Sequence, residues 1–437
     1  MSRALRGAGP ARWRLAAGLG VLLAGGLAAP SAEAEDAPPV VALVHARVYI
    51  PGDNPPLEDA TVVLAGGKVQ AVGSAVVVPP NARTVDARGK VVTAGFIDAD
   101  TTVGVVEIDL EPASNDTRTR STMTPGMRMV DAYNPRSVVI PITRAGGVTS
   151  VVVAPDQGVL GGQSAFVDLA GDSADQAVVR GSLAQYAHVD DETVQSSSGT
   201  RGGLWLVLRE ALQDARFYAT HRAAYDANGV RSLSLRRGDL EALLPVVRGE
   251  QPLVIRAERA SDIETALHLA SDMALKIVLE GASEAWLLAE EIARRKVPVI
   301  IDPLEDLPSR FDRLHARSDN AALLSRAGVR VVLSTFAAHQ ARLLWQRAGN
   351  AVRLGMDHDA AIRAVTEAPA DAFGLKGYGR LEKGAVGNVV VWSGDPLETS
   401  TRVEHVFVRG LEESLETRQT LLLQRYRTLP FSHDGSR

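Results

Sequence analysis

Charged side chains follow several apolar stretches of this sequence, at the points where the stretches end. Asp98 and Asp100 follow the stretch Lys90–Ile97, and Thr102 comes two residues later. Alternate residues of a strand point the same way, so we expect these three side chains to lie on one side of the chain. Carboxylates at such a position can bind a cation through oxygen. Asp98 has a simpler interpretation, in which it accepts backbone N–H groups at the strand end.

Three later stretches deliver a similar set of charged groups. Arg256 and Glu258 follow Leu253–Ile255, Glu280 follows Lys276–Leu279, and Asp302 follows Val297–Ile301. A pocket built from them would grip a substrate carboxylate through Arg256. Alternatively, the carboxylates of this set and of Asp100 would form an oxygen-ligand metal site. The third and favoured interpretation makes Arg256 the partner that neutralises Asp100 and a glutamate, because an unpaired buried charge is costly.

Two histidines are weaker candidates for functional residues. His188 stands beside Asp190 and Asp191, which resembles an acid–base cluster, but no nucleophile is in register and a surface position is favoured. His339 lies three residues after Phe336, and it is a candidate to reach the same pocket. The sequence has no cysteine, which excludes thiolate ligands, cysteine nucleophiles and disulfides.

The overall charge balance argues against some partners. The chain has 437 residues, 46% hydrophobic and 23% charged, with a net charge of −5. Beyond residue 15 the only basic cluster is the short run Arg294-Arg295-Lys296. Nucleic acid is therefore excluded as a partner, whereas a small-molecule ligand and a homo- or hetero-oligomeric state are compatible with this composition.

Strands and helices alternate from residue 91 onward, and the strands are apolar and β-branched. The predicted strands, after Lys90–Ile97, are Val148–Val153, Leu253–Arg256, Lys276–Leu279, Val297–Ile301 and Val329–Leu333, with candidates at Ala165–Leu169 and Leu183–Val189. Ser261 and Glu264 have the spacing of a capping box that begins a helix. This repetition predicts an α/β fold, a (β/α)₈ TIM barrel, whose chemistry lies at the C-terminal ends of its strands.

Both ends of the mature chain carry short strands with turns between them. Segments near residues 40–85 form a small antiparallel unit, and Asn388–Trp392 and Val403–Val408 are expected to complete it as a β-sandwich. The predicted domains are therefore a signal peptide (1–34), the first part of the sandwich (35–90), the barrel (91–376), and the second part of the sandwich with a C-terminal tail (377–437).

The N-terminus is predicted to be a targeting segment. Arg3, Arg6, Arg12 and Arg14 precede an apolar run from Leu15 to Ala29, and Ala32-Glu33-Ala34 offers a cleavage site. The run is about 15 residues long, shorter than the ~20 that a membrane span needs. We therefore expect a periplasmic or secreted protein with no membrane association beyond export. An uncleaved anchor is the alternative.

Several motifs resemble the amidohydrolase superfamily, and in particular its secreted, imidazolonepropionase-like group. The resemblance covers roughly residues 40 to 427. It rests on the strand that ends in Asp98, on Gly146–Ser150 with Gly161-Gly162-Gln163, on Thr366–Ala370, on Gly379–Gly384, and on Gly387–Trp392. Members of this superfamily cleave cyclic or other non-peptide amide C–N bonds with a hydroxide bound to Zn or another divalent metal.

The metal ligands that this resemblance implies are absent from the matching positions. Where the family pattern P-G-x-x-D-x-H-x-H has its two histidines, this chain has Asp100 and Thr102. The histidine of the next ligand strand is Arg256, that of E-H-G is Gly281 after Glu280, and the final aspartate is Phe336. No lysine lies between Lys90 and Lys276, so the bridging carbamylated lysine of many members is also missing.

We therefore expect no cofactor, with Phe336 filling the space of the lost metal as an apolar plug. The favoured function is an exported, catalytically degenerate amidohydrolase, a pseudoenzyme that binds a small ligand or another protein. The pocket residues of this hypothesis are Asp98, Asp100, Arg256, Glu258, Glu280, Asp302, Phe336 and His339. An active C–N hydrolase with a rebuilt carboxylate metal site, and a non-catalytic subunit paired with an active relative, remain alternatives.

Overall fold

The computed structural model describes residues 39–427 except 53 and 118, and in this part of the chain strands and helices alternate in a mixed α/β fold. The strands are β1 Val41–Val48, β2 Leu57–Ala65, β3 Lys68–Gly73, β4 Arg83–Asp86, β5 Val91–Ala94, β6 Phe96–Thr101, β7 Val148–Val153, β8 Gly162–Gln163, β9 Ala165–Asp168, β10 Val178–Arg180, β11 Gln185–His188, β12 Leu253–Ala257, β13 Ile277–Gly281, β14 Val299–Ile301, β15 Val331–Leu333, β16 Val389–Trp392, β17 Val403–Val408 and β18 Leu411–Glu413. The predicted signal peptide (1–34) lies outside the described residues.

Helices cover the outside of the parallel strands. They are α1 Val139–Arg144, α2 Ala174–Ala177, α3 Asp191–Ser196, α4 Arg201–Asp226, α5 Arg237–Val247, α6 Ala260–Asp272, α7 Ala289–Arg295, α8 Asn320–Arg326, α9 Leu344–Arg353, α10 His358–Ala364, α11 Glu367–Phe373 and α12 Arg418–Tyr426. Within residues 39–427, apart from the two undescribed positions, none of these helices has both the length and the apolar character to cross a bilayer.

Two sheets with parallel pairing form the central part of the fold. One has the order β10-β9-β7-β6, and the other has the order β15-β14-β13-β12-β11-β8. One face of both sheets contributes to a single hydrophobic cluster, to which nearly every strand gives one large side chain. These side chains are Ile97, Val152, Phe166, Tyr186, Val254, Val278, Ile300 and Val332. A second, larger cluster lies between the opposite faces and the helices.

Hydrogen bonds link the edges of these two sheets. At one edge the Phe336 N–H donates to the carbonyl of Asp100 (3.2 Å), just after β15 and within β6. At the other, Ser164 joins β8 to β9 and exchanges backbone bonds with Ala184 and Leu183 (2.9 and 2.8 Å). The C-terminal ends of β6 and of β11 to β15 therefore meet around one site, which we call the C-terminal edge.

The stretch Lys90–Ile97 is two strands rather than the single strand predicted from its sequence. β5 pairs antiparallel with β16, whereas β6 pairs in parallel with β7, and Gly95 lies between the two strands. A Cβ atom at residue 95 would overlap the side chain of Thr149, so only glycine allows the chain to cross here. Continuous hydrophobicity concealed this break because both halves are buried.

The two ends of the described chain share one sheet. Eight strands are hydrogen-bonded to one another in the order β18-β17-β16-β5-β1-β2-β3, with β4 paired to β1. The register of β5 against β16 joins strands from the two ends, whereas their arrangement as a β-sandwich stays a prediction. The unit is not purely antiparallel, because β1 runs parallel to both β4 and β5.

The predicted capping box at the start of α6 is wrong. Ser261 lies inside this helix, whose first residue is Ala260 and whose N-cap is Arg259. The Ala260 N–H instead donates to the carboxylate of Glu284 (2.9 Å), which comes from the loop after β13. The carboxylate of a residue distant in the sequence thus replaces a local N-cap side chain. The spacing of residues near the start of α6 does not predict this contact.

A buried carboxylate ties the end sheet to the parallel sheets. Asp168, at the end of β9, is fully buried and accepts from Ser150 Oγ (2.7 Å), Asn388 Nδ2 (3.0 Å), Tyr378 Oη (3.0 Å) and Arg409 Nε (2.6 Å). Four donors satisfy its two oxygens, so the charge is fully compensated inside the protein.

Substituting Asp168→Asn should lower the free energy of unfolding by roughly 2–4 kcal/mol, because the amide removes the charge that faces Arg409 and turns one acceptor into a donor. Chemical denaturation measures this change. Asp175→Asn is the matched control, since Asp175 is exposed and has no side-chain partner among the described residues. Equal stability of the two variants would contradict this role for Asp168.

Candidate functional site

Six charged or titratable side chains come together at the C-terminal edge. They are Asp98, Asp100, His188, Arg256, Glu258 and Glu280, and we call them the edge cluster. All except Arg256 are buried, and the Arg256 side chain is 16% exposed. They arrive on β6, β11, β12 and β13, or one residue beyond these strands. Parallel pairing of β11 to β13, together with the bond between Phe336 and Asp100 that links the two sheets, brings together residues up to 182 positions apart.

Arg256 supplies the positive charge of this cluster. Its Nη1 donates to Glu280 Oε1 at 3.1 Å, and its Nε lies 3.7 Å from both Asp190 Oδ2 and Glu258 Oε1. The ion pair predicted for Arg256 is therefore present, with Glu280 as its closest partner rather than Asp100. Although burial alone would lower the pKa of Arg256, the surrounding carboxylates raise it, so the guanidinium stays charged.

Asp100 and Glu280 differ in how their charges are compensated. Burial raises the pKa of Asp100 well above its ordinary value, and the negative charge of Glu280 raises it further. Burial also raises the pKa of Glu280, while Arg256 lowers it. Asp100 Oδ2 and Glu280 Oε2 are both buried without a hydrogen-bond partner among the described residues. We infer that Asp100 carries a proton, because its pKa is raised while Glu280 has the cationic partner.

Asp98 is held by the loop after β15. Ser334 Oγ and Thr335 Oγ1 both donate to its carboxylate, and the Thr335 N–H donates to it at 3.2 Å. The predicted role as an acceptor at a strand end is thus correct, although most of its donors are side chains of a neighbouring element. Burial raises the pKa of Asp98 to about 6, although these hydrogen bonds lower it.

Glu258 occupies the space beside Gly281. Its carboxylate accepts from Arg313 Nη2 (2.6 Å), Ser283 Oγ (2.7 Å) and the Ser283 N–H (3.2 Å). A Cβ atom at residue 281 would overlap this carboxylate, with its carbon only 2.7 Å away. Gly281 also has φ +74°, a conformation that side chains rarely adopt. The chain therefore has no room for a longer side chain at this position.

His188 was expected at the surface, and this prediction is wrong. Its ring is 1% exposed at the end of β11, opposite Arg256 in the parallel register. Nδ1 lies 2.9 Å from the carbonyl of Gly158, which can only accept, so Nδ1 carries a proton. Nε2 has no hydrogen-bond partner among residues that the structure describes. His188 lies at the end of a strand, and this criterion, which identified the other residues of the cluster, would also have identified His188.

Three other predicted pocket residues behave differently from one another. Asp302 is bound by Arg347 Nε (3.0 Å), which is not a residue of the edge cluster. His339 is 41% exposed and its ring lies 3.9 Å from Asp109, so it belongs to the surface. Phe336 lies over the guanidinium of Arg256, 5.2 Å from ring centroid to Cζ, so it packs on a cation rather than filling an empty metal space.

The edge cluster does not fit a divalent metal ion. Among the described residues no three His, Asp or Glu side chains converge as ligands. The guanidinium of Arg256 adds a repulsion of about 4 kcal/mol per unit charge at 4 Å with an effective dielectric constant of 20. What the cluster offers instead is a fixed cation, a carboxylic acid proton and a free imidazole nitrogen within one buried site.

The space beside Gly281 can be tested by substitution. Gly281→Ala should destabilise the protein by about 2 kcal/mol more than Gly328→Ala. Both glycines have a left-handed backbone, with φ +74° and +84°, but nothing lies within 4 Å of a Cβ atom at residue 328. Urea unfolding of both variants gives the difference. An equal loss of stability would mean that Glu258 moves aside at no cost.

The raised pKa of Asp100 predicts a pH dependence of stability. Because the pKa of Asp100 is higher in the folded than in the unfolded chain, the native state holds an extra proton above about pH 4, and its stability falls as pH rises. Asp100→Asn lacks this proton exchange, so its stability relative to the unsubstituted protein should rise between pH 4 and pH 7.

Glu280→Gln is the matched comparison, since it removes the carboxylate that pairs with Arg256 and should cost roughly 3 kcal/mol at pH 7. Unfolding free energies measured across this pH range distinguish the two roles. If Asp100→Asn cost as much as Glu280→Gln at pH 7, the assignment of the proton to Asp100 would be wrong.

Comparison with known proteins shows which family this chain resembles. The model of the amidohydrolase family matches residues 251–412. A crystal structure of an amidohydrolase from Thermotoga maritima MSB8 superposes with a TM-score of 0.78 at 25% identity, over 86% of this chain and 99% of that one. Molinate hydrolase superposes with a TM-score of 0.53 at 17% identity, over 87% and 95% of the two chains, a likeness of fold alone.

A curated relative is more distant. Amidohydrolase tasK from Hapsidospora irregularis is 22% identical over 370 residues, which is 76% of this chain but only 37% of that longer protein. The family match nevertheless includes Arg256, Glu258 and Glu280, and the Thermotoga likeness extends over most of the described fold. These findings together support the amidohydrolase superfamily as the family that this chain resembles.

Proposed function

We propose that this protein is an exported amidohydrolase relative that has lost metal-dependent hydrolysis and binds a small ligand or another protein at the C-terminal edge. The observation that supports this most strongly is the position of Arg256. Its guanidinium lies among Glu280, Glu258 and Asp190, where a fixed cation takes the place that a divalent ion has in the superfamily's mechanism.

The proposal includes the finer architecture. We interpret the two parallel sheets as one eight-stranded (β/α)₈ barrel, in which β6 and β15 are neighbours, and the sheet of the two chain ends as the accompanying sandwich. Support comes from the single interior cluster and from the bonds between Ser334 and β6. The C-terminal edge would then be the barrel mouth, where ligands of such folds bind.

Glu258 gives independent support for the loss of hydrolysis. Restoring a histidine at residue 281 would require Glu258 to leave its place, and Arg313 and Ser283 hold it there. A single reversion at this position therefore cannot rebuild the ligand. The change involves the packing of the site as well as the identity of one residue.

The chemistry of the edge cluster suits an amide-bearing ligand that is held and not cleaved. The Asp100 proton and Arg256 are donors for a carbonyl oxygen, and His188 Nε2 is an acceptor for an N–H group. This pairing agrees with an origin among enzymes of amide substrates. The predicted targeting segment supports export, and the charge balance supports a partner other than nucleic acid.

One observation favours a second function, an active hydrolase with a rebuilt metal site. Asp100 Oδ2, Glu280 Oε2 and His188 Nε2 are all buried without a hydrogen-bond donor or acceptor of usual geometry among the residues described. Carboxylate oxygen and imidazole nitrogen are suitable ligands for Zn or Mn. The guanidinium of Arg256, 3.1 Å from Glu280, repels a divalent ion at this position, and for this reason the binding function is preferred.

Metal analysis of the purified protein separates these functions. The binding function predicts less than about 0.1 equivalent of Zn, Mn, Fe, Co or Ni per chain by mass spectrometry, and no change of melting temperature when Zn or a chelator is added. Asp100→Ala is the control variant, and it should show the same metal content. Near-stoichiometric metal that is lost in Asp100→Ala would establish the hydrolase and reject the binding function.

A further inference from the structure

A cavity lies at the N-terminal ends of the parallel strands, whereas the edge cluster lies at their C-terminal ends. It has a volume of about 670 Å³. Its walls come from the starts of β12 to β15, from the ends of α6 and α7, and from the end of α11 at Phe373 and Gly374. The N-terminal ends of strands in such folds usually serve stability, so the hydrolase ancestry does not account for a cavity here.

Basic side chains dominate the charge of this cavity. Arg180, Lys276, Lys296 and Arg330 all line it, all are exposed, and none has a side-chain partner among the described residues. Of its two acids, Asp371 is bound by Arg380 at 2.7 Å, whereas Glu250 has no side-chain partner in the described part of the chain. The cavity thus has four free cations and one free carboxylate.

This local excess is opposite in sign to the chain as a whole. The protein has 52 acidic and 47 basic residues, and its other arginines are commonly paired, including Arg295 of the same cavity, which binds Glu291 (2.5 Å) and the carbonyl of Leu267 (2.9 Å). Lys276 and Arg330 immediately precede β13 and β15, and Lys296 lies three residues before β14, so the parallel strands group these three unpaired cations at one end.

We propose that this cavity binds a small molecule through a phosphate or pyrophosphate group. An excess of about three positive charges matches the two to three negative charges of such a group, and lysine and arginine are its usual donors. The phosphate can belong to a free metabolite or to a lipid headgroup, since the charges are the same. The site is independent of the function proposed for the C-terminal edge.

Calorimetric titration with inorganic pyrophosphate at 150 mM salt tests this site. We expect one ligand per chain, and at least ten-fold weaker binding by the variant Lys276→Gln/Arg330→Gln. The matched control is Lys383→Gln/Arg88→Gln, which removes one lysine and one arginine that are exposed, without side-chain partners among the described residues, and outside the cavity. This control should bind like the unsubstituted protein, and melting temperatures should show all three proteins folded.

A second arm of the experiment identifies the source of the phosphate. Sedimentation with phosphatidylglycerol vesicles, compared with phosphatidylcholine vesicles, detects a lipid headgroup. Binding of those vesicles that depends on Lys276 and Arg330 supports the site and assigns it to lipid, even without pyrophosphate binding. The proposal is overturned if neither probe binds, or if the control variant weakens binding as much as the cavity variant, because bulk charge would then explain the effect.

Discussion

The ion pair between Arg256 and Glu280 is the interaction on which the C-terminal edge depends. Around it the protein buries Asp98, Asp100, Glu258 and Glu280 almost completely, with Asp190 beside them. Unpaired, these carboxyl groups would cost several kcal/mol each. The Arg256 guanidinium and the proton inferred on Asp100 reduce the charge at the centre, and the remaining acids accept hydrogen bonds from donors in the surrounding loops.

The consequences of that pair extend into the backbone. Glu258 is drawn between Arg256, Arg313 and Ser283, and its carboxylate then fills the volume that a side chain at residue 281 would need. Phe336 has φ +53°, which is uncommon for an aromatic residue, and packs over the guanidinium. Under the proposed function, the replacement of several ligand residues is one coupled change of packing and charge.

The sequence predicted much of this arrangement, because a strand's end can be located from the apolar run before it. Asp98, Asp100, Arg256, Glu258 and Glu280 were found in this way. Asp302 follows the same rule, yet Arg347, 45 positions away, binds it instead. His188 was missed because its neighbours Asp190 and Asp191 are polar and suggested a surface. Whether a residue joins the site depends on contacts between residues that are distant in the sequence. The spacing of residue types along the chain does not reveal these contacts.

The most direct measurement of the central claim is anomalous diffraction at the zinc edge, from crystals of the protein grown with excess Zn. The account predicts no anomalous peak within about 3 Å of the Asp100 and Glu280 carboxyl groups, a distance that exceeds the Zn–O bond length. It also predicts ordered density for the Arg256 guanidinium against Glu280. A peak bridging Asp100, Glu280 and His188, with Arg256 displaced, would contradict it.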